Sequence, residues 1–277
     1  MCSGWDELTP PKGAFAQMGV GYQHACGLKT DSTLACWGAD WYGKARAPAG
    51  PFIQVSAGGS HSCGLKPDST VACWGNDYYG EATPPSGRFR QVIAGWSHTC
   101  GLKTDGGVAC WGDNRSGQAT PPSGTFTQVS AGGPDTCGLR NDGTILCWGD
   151  NYYGQARPPA GRFTQVSVGG AGGAGPAGTV HACALTIDSK VVCWGDNFYR
   201  QATPPAGTFT QVSAGYQHAC ALKPDGVVAC WGWNSYGQAT PPAGKFTQVS
   251  AAGSSTCGLV PDGRVACWGD RGRKASR

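Results

Sequence analysis

The chain consists of one unit of about 37 residues that is repeated seven times within 277 residues. The first cysteine of a pair recurs at steps of 37, 37, 37, 46, 37 and 37 residues, and the second follows ten residues later in every copy. One unit of this size cannot bury its hydrophobic face alone, so stacked copies must share their cores. Residues 1–277 are therefore predicted to form a single domain. Its repeats span 15–50, 51–87, 88–124, 125–161, 162–207, 208–244 and 245–270, with a basic tail at 271–277.

Short strands and tight turns make up each unit. FTQVS alternates apolar and polar residues, and HSCGLK and TVACWG flank a Pro-Asp-Ser turn at 67–69, which is typical of a hairpin. The ATPP segment that follows is predicted to be a fourth, outer strand, because consecutive prolines fit only at an edge. Four antiparallel strands in seven copies predict an all-β, seven-bladed β-propeller. The seventh copy lacks its ATPP segment, and we expect residues 1–13, which contain a similar one, to complete that blade.

The paired cysteines predict one disulfide in each blade. Closing the second hairpin with Lys66 and Thr70 places Cys63 opposite Cys73 in a non-hydrogen-bonded pair, where side chains lie closest. The alternative is zinc, with the histidine two residues before the first cysteine as a further ligand. It is disfavoured because zinc ligands usually come from tight Cys-x-x-Cys knuckles, so we predict no metal and no cofactor. The predicted pairs are Cys26–Cys36, Cys63–Cys73, Cys100–Cys110, Cys137–Cys147, Cys183–Cys193, Cys220–Cys230 and Cys257–Cys267, with Cys2 unpaired.

Cysteine content also indicates the compartment. Fifteen cysteines are unusual in a reducing cytosol, so we expect an extracellular, periplasmic or cell-surface protein. The first residues lack the basic and apolar regions of a signal peptide, and no apolar run reaches the length of a membrane helix. A sequence pI of about 8.3 is lower than that of a dedicated nucleic-acid-binding domain, so no nucleic-acid partner is predicted.

Candidate catalytic residues do not assemble into a site. All five histidines occupy the same repeat position, which favours buried hydrogen-bonding roles over a single catalytic histidine. Most aspartates occupy repeated turn positions, and no paired carboxylates, Ser-His-Asp set or phosphate loop can be built. We therefore predict that the chain is not an enzyme. The histidines are His24, His61, His98, His181 and His218, and Asp135 and Ser255 take their place in the other two copies.

Three short motifs resemble a known repeat family. Gly-x-x-His, Leu-Lys-x-Asp-Gly and Trp-Gly-x-Asn-x-x-Gly-Gln are similar to the regulator of chromosome condensation repeat, as in VVCWGDNFYRQATPP at 191–205. The resemblance covers essentially the whole chain, and within this superfamily it is greatest to the β-lactamase inhibitory protein II branch. It implies a seven-bladed propeller, and for that branch a loop face that binds an enzyme.

Variation between the copies indicates where a partner would bind. Two loop positions vary strongly, and both are predicted to lie on one face of the disc, opposite the Asp-Gly hairpins. The glycine-rich insertion at 169–178 extends from the same face. Aromatic residues are enriched in binding hot spots, so aromatic loops predict a binding face. The alternative interpretation is that these rings only cover the ends of the blades. The predicted binding-face residues are Tyr22, Trp41, Tyr78, Trp96, Arg115, Tyr152, Phe198, Tyr216 and Trp233.

The sequence leaves the type of partner open. A protein partner is the leading hypothesis, with inhibition of an enzyme as one activity. A glycan is the alternative, because exposed tryptophan and tyrosine also stack on sugar rings. The third hypothesis is a structural subunit of an extracellular assembly, and the oligomeric state stays open.

Overall fold

The computed structural model describes residues 9–171 and 180–269. They form seven antiparallel sheets of three strands, one per repeat, which we call blades 1 to 7 in chain order. The inner strands are β1 (Phe15–Val20), β4 (Gln54–Ala57), β7 (Phe89–Ala94), β10 (Phe126–Ala131), β13 (Phe163–Val168), β16 (Gln211–Ala214) and β19 (Gln248–Ala252). The middle strands are β2 (His24–Lys29), β5 (His61–Leu65), β8 (His98–Lys103), β11 (Asp135–Arg140), β14 (His181–Thr186), β17 (His218–Leu222) and β20 (Ser255–Leu259). The outer strands are β3 (Leu34–Gly38), β6 (Val71–Gly75), β9 (Val108–Gly112), β12 (Ile145–Gly149), β15 (Val191–Gly195), β18 (Val228–Gly232) and β21 (Val265–Gly269), and a 3-10 turn spans Trp41–Gly43.

The predicted fourth strand is wrong, because each blade has three strands. In blade 2 the outer strand ends at Gly75, whose φ of 107° turns the chain out of the sheet. Residues 83–85 then form no strand, since Pro84 and Pro85 have no N–H to donate to a ladder. The predicted completion of blade 7 lies mostly outside the described residues, and residues 9–13 form no strand. Cys2, the basic tail and most of the glycine-rich insertion also lie outside them.

The hairpin register and the disulfides are confirmed. In blade 2, Leu65 pairs with Val71 and Cys63 with Cys73, and the same arrangement recurs in every blade. The Cys63 and Cys73 Cα atoms are 4.0 Å apart and their sulfurs are bonded. All seven predicted pairs form disulfides.

Hydrophobic packing lies between blades, and there is one cluster at each of the seven junctions. At the second junction, Cys63 and Leu65 of blade 2 pack on Phe89 and Val92 of blade 3. At the seventh, Leu259 of blade 7 packs on Phe15 of blade 1. Each blade is thus an open sheet, and the ring closes because the first and last blades share a core.

Glutamine side chains connect the inner strands around the ring. The Gln54 Oε1 accepts a hydrogen bond from the backbone N–H of Val92 in the next blade at 2.9 Å, and the Ser56 Oγ accepts one from Ala94 at 3.0 Å. The Gln248 Oε1 accepts from Met18 at 3.2 Å and completes the circuit. The other members of this glutamine ring are Gln17, Gln91, Gln128, Gln165 and Gln211. The ring lines a central channel of about 260 Å³.

Candidate functional site: the loop face

The two ends of the ring differ in their connections. In blade 1, Val20 pairs with Ala25 and His24 pairs with Gly38, so residues 21–23 and the segment after Gly38 lie at one end. We call this end the loop face. The Asp-Gly and Asp-Ser turns between middle and outer strands lie at the other end, which we call the hairpin face. The predicted placement of both variable loops at one end follows from this register.

The loops after the outer strands of blades 1 to 6 are held by their own hydrogen bonds. In blade 5, the Asn197 Oδ1 accepts from the backbone N–H of Ala202 at 2.9 Å, and the Gln201 Oε1 accepts from Tyr199 at 2.8 Å. Phe198 lies at the tip between them. Equivalent hydrogen bonds, donated by an alanine N–H to the side-chain oxygen of an Asp or Asn, recur in blades 1 to 6. The tip is therefore presented on a loop that needs little ordering when a partner binds.

The rim of the loop face carries the most exposed aromatic residues. Phe198 is 83% exposed, Tyr78 is 81% and Tyr152 is 60%. Each packs edge to face on the tyrosine that follows it, with ring centroids 4.8 to 4.9 Å apart. Trp41 and Tyr42 of blade 1 are also exposed, Tyr42 to 71%. The predicted rim residues thus lie on separate blades, at the tips of their loops.

Arginine replaces the rim aromatic residue in blade 3. The Arg115 Nε lies 2.8 Å from the Asp113 Oδ1, and the guanidinium lies over the ring of Tyr79 at 4.7 Å. The hydrogen bonds from Arg115 lower the pKa of Asp113, and this carboxylate raises the pKa of Arg115. Arg115 therefore places a fixed positive charge among the rim aromatic residues.

Three of the predicted residues meet at the mouth of the channel. Tyr22, Trp96 and Tyr216 come from blades 1, 3 and 6 and are half-buried. The Tyr22 and Trp96 ring centroids are 5.1 Å apart, and those of Trp96 and Tyr216 are 6.1 Å apart. Trp233 is separate from them and packs between Tyr199 and Tyr236 at 5.9 and 5.0 Å. The nine residues therefore form a central trio and an outer rim rather than one patch.

Lys44 was not among the residues predicted from the sequence. It is fully buried, and its Nζ donates to the carbonyl oxygens of Tyr22 at 2.7 Å and Gly59 at 3.3 Å. The ammonium lies 5.0 Å from the Trp41 ring centroid, and burial lowers the pKa of Lys44 to about 8. The available signal was a departure from the repeat, since four other copies have glutamine here. Lys44 connects the trio to the rim.

Four of the five histidines link neighbouring blades, which confirms their predicted role, whereas His181 is buried with neither ring nitrogen hydrogen-bonded to a described residue. The His61 Nε2 lies 2.7 Å from the Thr99 Oγ1, which donates to the carbonyl oxygen of Glu81 at 2.8 Å. The Trp111 Nε1 donates to the same oxygen at 3.0 Å. Burial lowers the pKa of His61 to about 3, so the ring is neutral. Similar His-to-hydroxyl contacts start from His24, His98 and His218.

Asp135 is the exception in this network. It takes the histidine position of blade 4 and is 1% exposed. Its Oδ2 accepts from the Gln155 Nε2 at 3.4 Å, and Gln155 also donates to Asp150 at 3.1 Å. Burial, with a smaller contribution from Asp150, raises the pKa of Asp135 to about 8. Within residues 9–171 and 180–269, no group of three or more His, Cys, Asp or Glu side chains is arranged to hold a metal.

The repeat itself identifies the family. The model of the regulator of chromosome condensation (RCC1) repeat matches more than half of the chain, at residues 52–81, 89–118, 126–155, 177–201 and 209–238. The chain belongs to the RCC1 repeat family. The resemblance found in the sequence is therefore confirmed for the superfamily. No curated protein matches the sequence. The particular likeness to β-lactamase inhibitory protein II stays a prediction.

Solved structures share the fold of this RCC1-repeat protein. It is similar to the CRINKLY WD40 ectodomain of the Arabidopsis thaliana receptor kinase ACR4, at 26% identity and a TM-score of 0.78 over 95% of this chain and 98% of that one. The ectodomain of the Physcomitrella patens receptor kinase CR4 is 27% identical, with a TM-score of 0.75 over 93% and 74%. Prp20p of Saccharomyces cerevisiae, at 16% identity and a TM-score of 0.68 over 85% and 80%, shares the fold alone.

Disulfides and similar structures agree on the compartment. The two plant structures are receptor ectodomains. Seven disulfides are typical of proteins in oxidising compartments. Both observations point to an oxidising extracellular environment for this RCC1-repeat protein. In the described part of the chain, no helix is long and apolar enough to cross a bilayer.

Charge is distributed unequally between the two faces. The basic residues of the hairpin face are Lys12, Lys29, Lys66, Arg88, Arg90, Lys103, Arg140, Arg162, Lys190, Lys223, Lys245 and Arg264, and its acidic residues are Asp31, Asp68, Asp105, Asp142, Asp188, Asp225 and Asp262. The loop face carries the basic residues Lys44, Arg46, Arg115, Arg157 and Arg200 and the acidic residues Asp40, Asp77, Glu81, Asp113, Asp135, Asp150 and Asp196. The hairpin face thus has a formal excess of five positive charges, and the loop face has an excess of two negative charges.

Replacing Asp135 by Asn is expected to change how stability depends on pH. The folded-state pKa of about 8 lies above the ordinary 3.8, so between these values the folded chain holds a proton that the unfolded chain lacks. Stability therefore falls as pH rises through this window. Asp135→Asn should remove that fall and stabilise the chain by a few kcal/mol at pH 9, at about 1.4 kcal/mol per pKa unit. Guanidinium chloride unfolding between pH 5 and 9 measures the difference.

Asp142 of the same blade provides the control. Hydrogen bonds from the side chain and backbone of Thr144 lower the pKa of Asp142, so Asp142→Asn should show no gain that grows with pH. The buried histidines contribute the same pH dependence of stability to the parent, Asp135→Asn and Asp142→Asn, so their effect cancels in the comparison. A pH-independent difference between Asp135→Asn and the parent would contradict the argument.

Proposed function

We propose that this RCC1-repeat protein is a non-catalytic, extracellular binding module that engages a protein partner through its loop face. Blocking an enzyme is the activity we would test first, because it follows from the predicted likeness to the inhibitor branch of the superfamily. The proposal depends most on one observation, which is that exposed aromatic side chains are concentrated on self-bonded loops at this end of the ring.

Segregation of the exposed hydrophobic residues supports the choice of face. The exposed aromatic residues of the described chain lie on the loop face, whereas its exposed aliphatic residues Ile53, Ile187 and Val227 lie toward the hairpin face. Tyrosine, tryptophan and arginine supply most binding hot spots. The rim combines these types, since Arg115 lies over the ring of Tyr79, which packs on Tyr78. Its chemistry is that of a protein-binding surface.

The spacing of the rim residues favours a protein over a glycan. A sugar site needs an aromatic ring and several polar groups that converge in one pocket. The rings at the loop tips come from blades 1, 2, 4 and 5. Tyr78, Tyr152 and Phe198 each pack on the tyrosine that follows them, so these tips present separate contacts. A broad partner can contact several tips at once, as a protein interface of ordinary size requires.

A four-residue variant tests the face. The variant carries alanine at Trp41, Tyr78, Tyr152 and Phe198. Its affinity for captured secreted proteins should fall by at least about a hundredfold, because each hot-spot loss reaches about 2 kcal/mol or more. If β-lactamases are partners, its affinity for the purified enzymes should fall equally. The melting temperature should move by no more than about 2 °C, since these side chains are exposed. The control is alanine at Ile53, Ile187 and Val227, which should bind like the parent.

Three outcomes would contradict the proposal. Equal binding by the rim variant and the parent would exclude the loop face. Selective binding on a glycan array that the rim variant loses would make the module a lectin instead. Concentration-dependent light scattering that the rim variant abolishes would indicate an assembly subunit.

A further inference from the structure

We infer that the hairpin face docks on an anionic lipid bilayer surface, which leaves the loop face directed away from the bilayer. The inference does not depend on the proposed function, because it concerns the opposite end of the ring. Two independent observations support it. One is the excess of positive charge on this face, and the other is a set of exposed aliphatic side chains among those charges.

The positive charges of the hairpin face are mostly not neutralised by contact. Among the described residues, the only salt bridge on this face joins Arg264 to Asp262 at 2.7 Å. Its aspartates bind their own turns instead. The Asp68 Oδ1, for example, accepts from the backbone N–H of Thr70 at 2.9 Å and from its hydroxyl at 2.7 Å. The lysines around the ring therefore remain available to an external anion.

Exposed aliphatic side chains distinguish a lipid surface from a soluble polyanion. Ile187 lies in the hairpin turn of blade 5 and is 63% exposed, and Ile53 at the start of blade 2 is 52% exposed. Val227 lies beside the turn of blade 6 and is also exposed. Aliphatic groups gain nothing from a hydrated anionic polymer, whereas they are stabilised at the boundary between headgroups and acyl chains. Basic residues beside apolar ones are the pattern of interfacial membrane binding.

The architecture brings these residues to one surface. All seven middle-to-outer turns lie at the same end of the ring, so one flat partner can meet several of them together. A basic residue close to an anionic bilayer strengthens binding about fivefold. Several weak contacts of this kind add up to stable adhesion without any membrane-spanning segment.

Vesicle sedimentation tests the docking. The intact protein is mixed with vesicles of phosphatidylcholine, or of phosphatidylcholine with about one third phosphatidylglycerol, at low salt and at about 0.5 M salt. We expect partitioning onto the anionic vesicles only, and its loss at high salt. No preference for the anionic vesicles would overturn the inference. A second result would also overturn it: Ile187→Ser binds the vesicles as well as the parent does, and soluble heparin displaces both proteins equally well. The exposed isoleucine would then contribute nothing to binding.

Matched charge reversals locate the surface. Lys66→Glu, Lys190→Glu and Lys245→Glu together should weaken vesicle binding at least about a hundredfold. The control reverses Arg46, Arg157 and Arg200 on the loop face, which changes the net charge equally and should keep most of the binding. Ile187→Ser should weaken it about fivefold through lost apolar contact, whereas Tyr152→Ser should not. Equal losses in both triple variants would overturn the assignment of the face, and melting curves confirm that each variant folds.

Discussion

Reduction of the seven disulfides is expected to lower the melting temperature by at least about 20 °C. Each disulfide closes a loop of about eleven residues and contributes roughly 2.5–3 kcal/mol in the chain-entropy model. Even if these contributions add only in part, their sum approaches the whole stability of an ordinary domain, about 5–15 kcal/mol. At about 2–4 °C per kcal/mol, a loss of this size takes the ring close to unfolding at ambient temperature.

The measurement must allow for buried sulfurs. The first cysteine of each pair is buried, for example Cys63 and Cys100 at 0% exposure. The chain should therefore be reduced in denaturant, returned to buffer that contains a reductant, and melted by circular dichroism beside the oxidised protein. Cys100→Ser with Cys110→Ser removes one pair and should cost only about 3 kcal/mol. A fully reduced chain that melts within about 5 °C of the oxidised protein would refute the argument.

Gly58→Ala is expected to destabilise the ring by about 3 kcal/mol or more. A Cβ at this position would collide with the carbonyl oxygen of Gly95 in the next blade and lie 3.0 Å from the Ala94 Cβ. That oxygen already accepts from the backbone N–H of Gly59 at 3.0 Å, so the two loops cannot separate without losing this bond. Overpacking against backbone has no flexible side chain to relieve it, which is why the cost exceeds the usual range.

Gly107→Ala provides the matched control for this substitution. Its Cβ would meet only side-chain atoms of Asp105 and Lys103, the nearest at 3.2 Å, in an exposed hairpin. The expected change is within about 0.5 kcal/mol. Equal stabilities for Gly58→Ala and Gly107→Ala in guanidinium chloride unfolding would show that the blade junctions tolerate movement. The equivalent glycines Gly21 and Gly169 face the same kind of carbonyl contact and should respond like Gly58.

Features that depend on neighbours within a repeat were predictable from the sequence. The Asp-containing turn sets the hairpin register, and the register alone brings Cys63 to Cys73. The number of blades followed from counting cysteines. The fourth strand failed because the prediction treated the ATPP segment as an edge strand, whereas the left-handed glycine that ends each outer strand directs the chain away from the sheet. Local composition could not show that change of direction.

Contacts between repeats were harder to predict from the sequence. In the sequence, the glutamine of FTQVS is simply one of the polar residues that alternate with apolar ones along a strand. Its hydrogen bond to the backbone of the next blade becomes visible only when the blades are assembled into a ring. The hairpin register was enough to place both variable loops at one end, but the division of the loop face into a trio and a rim depends on blade positions that one repeat does not encode. Its role in binding stays a prediction. Lys44 was overlooked because a lysine in a loop is usually solvated.

The self-bonded loops have a consequence for how such a surface changes over evolutionary time. Each tip is held by a flanking Asp or Asn that accepts from a backbone N–H, and in blades 2 to 6 also by a Glu or Gln that does the same. The side chain at the tip can therefore be exchanged with little effect on the scaffold. Mutations at one blade then alter recognition without disturbing the next, as in the variable loops of antibodies. A library randomised at the six tips would keep one framework and sample many specificities. Those positions are Trp41, Tyr78, Arg115, Tyr152, Phe198 and Ser235.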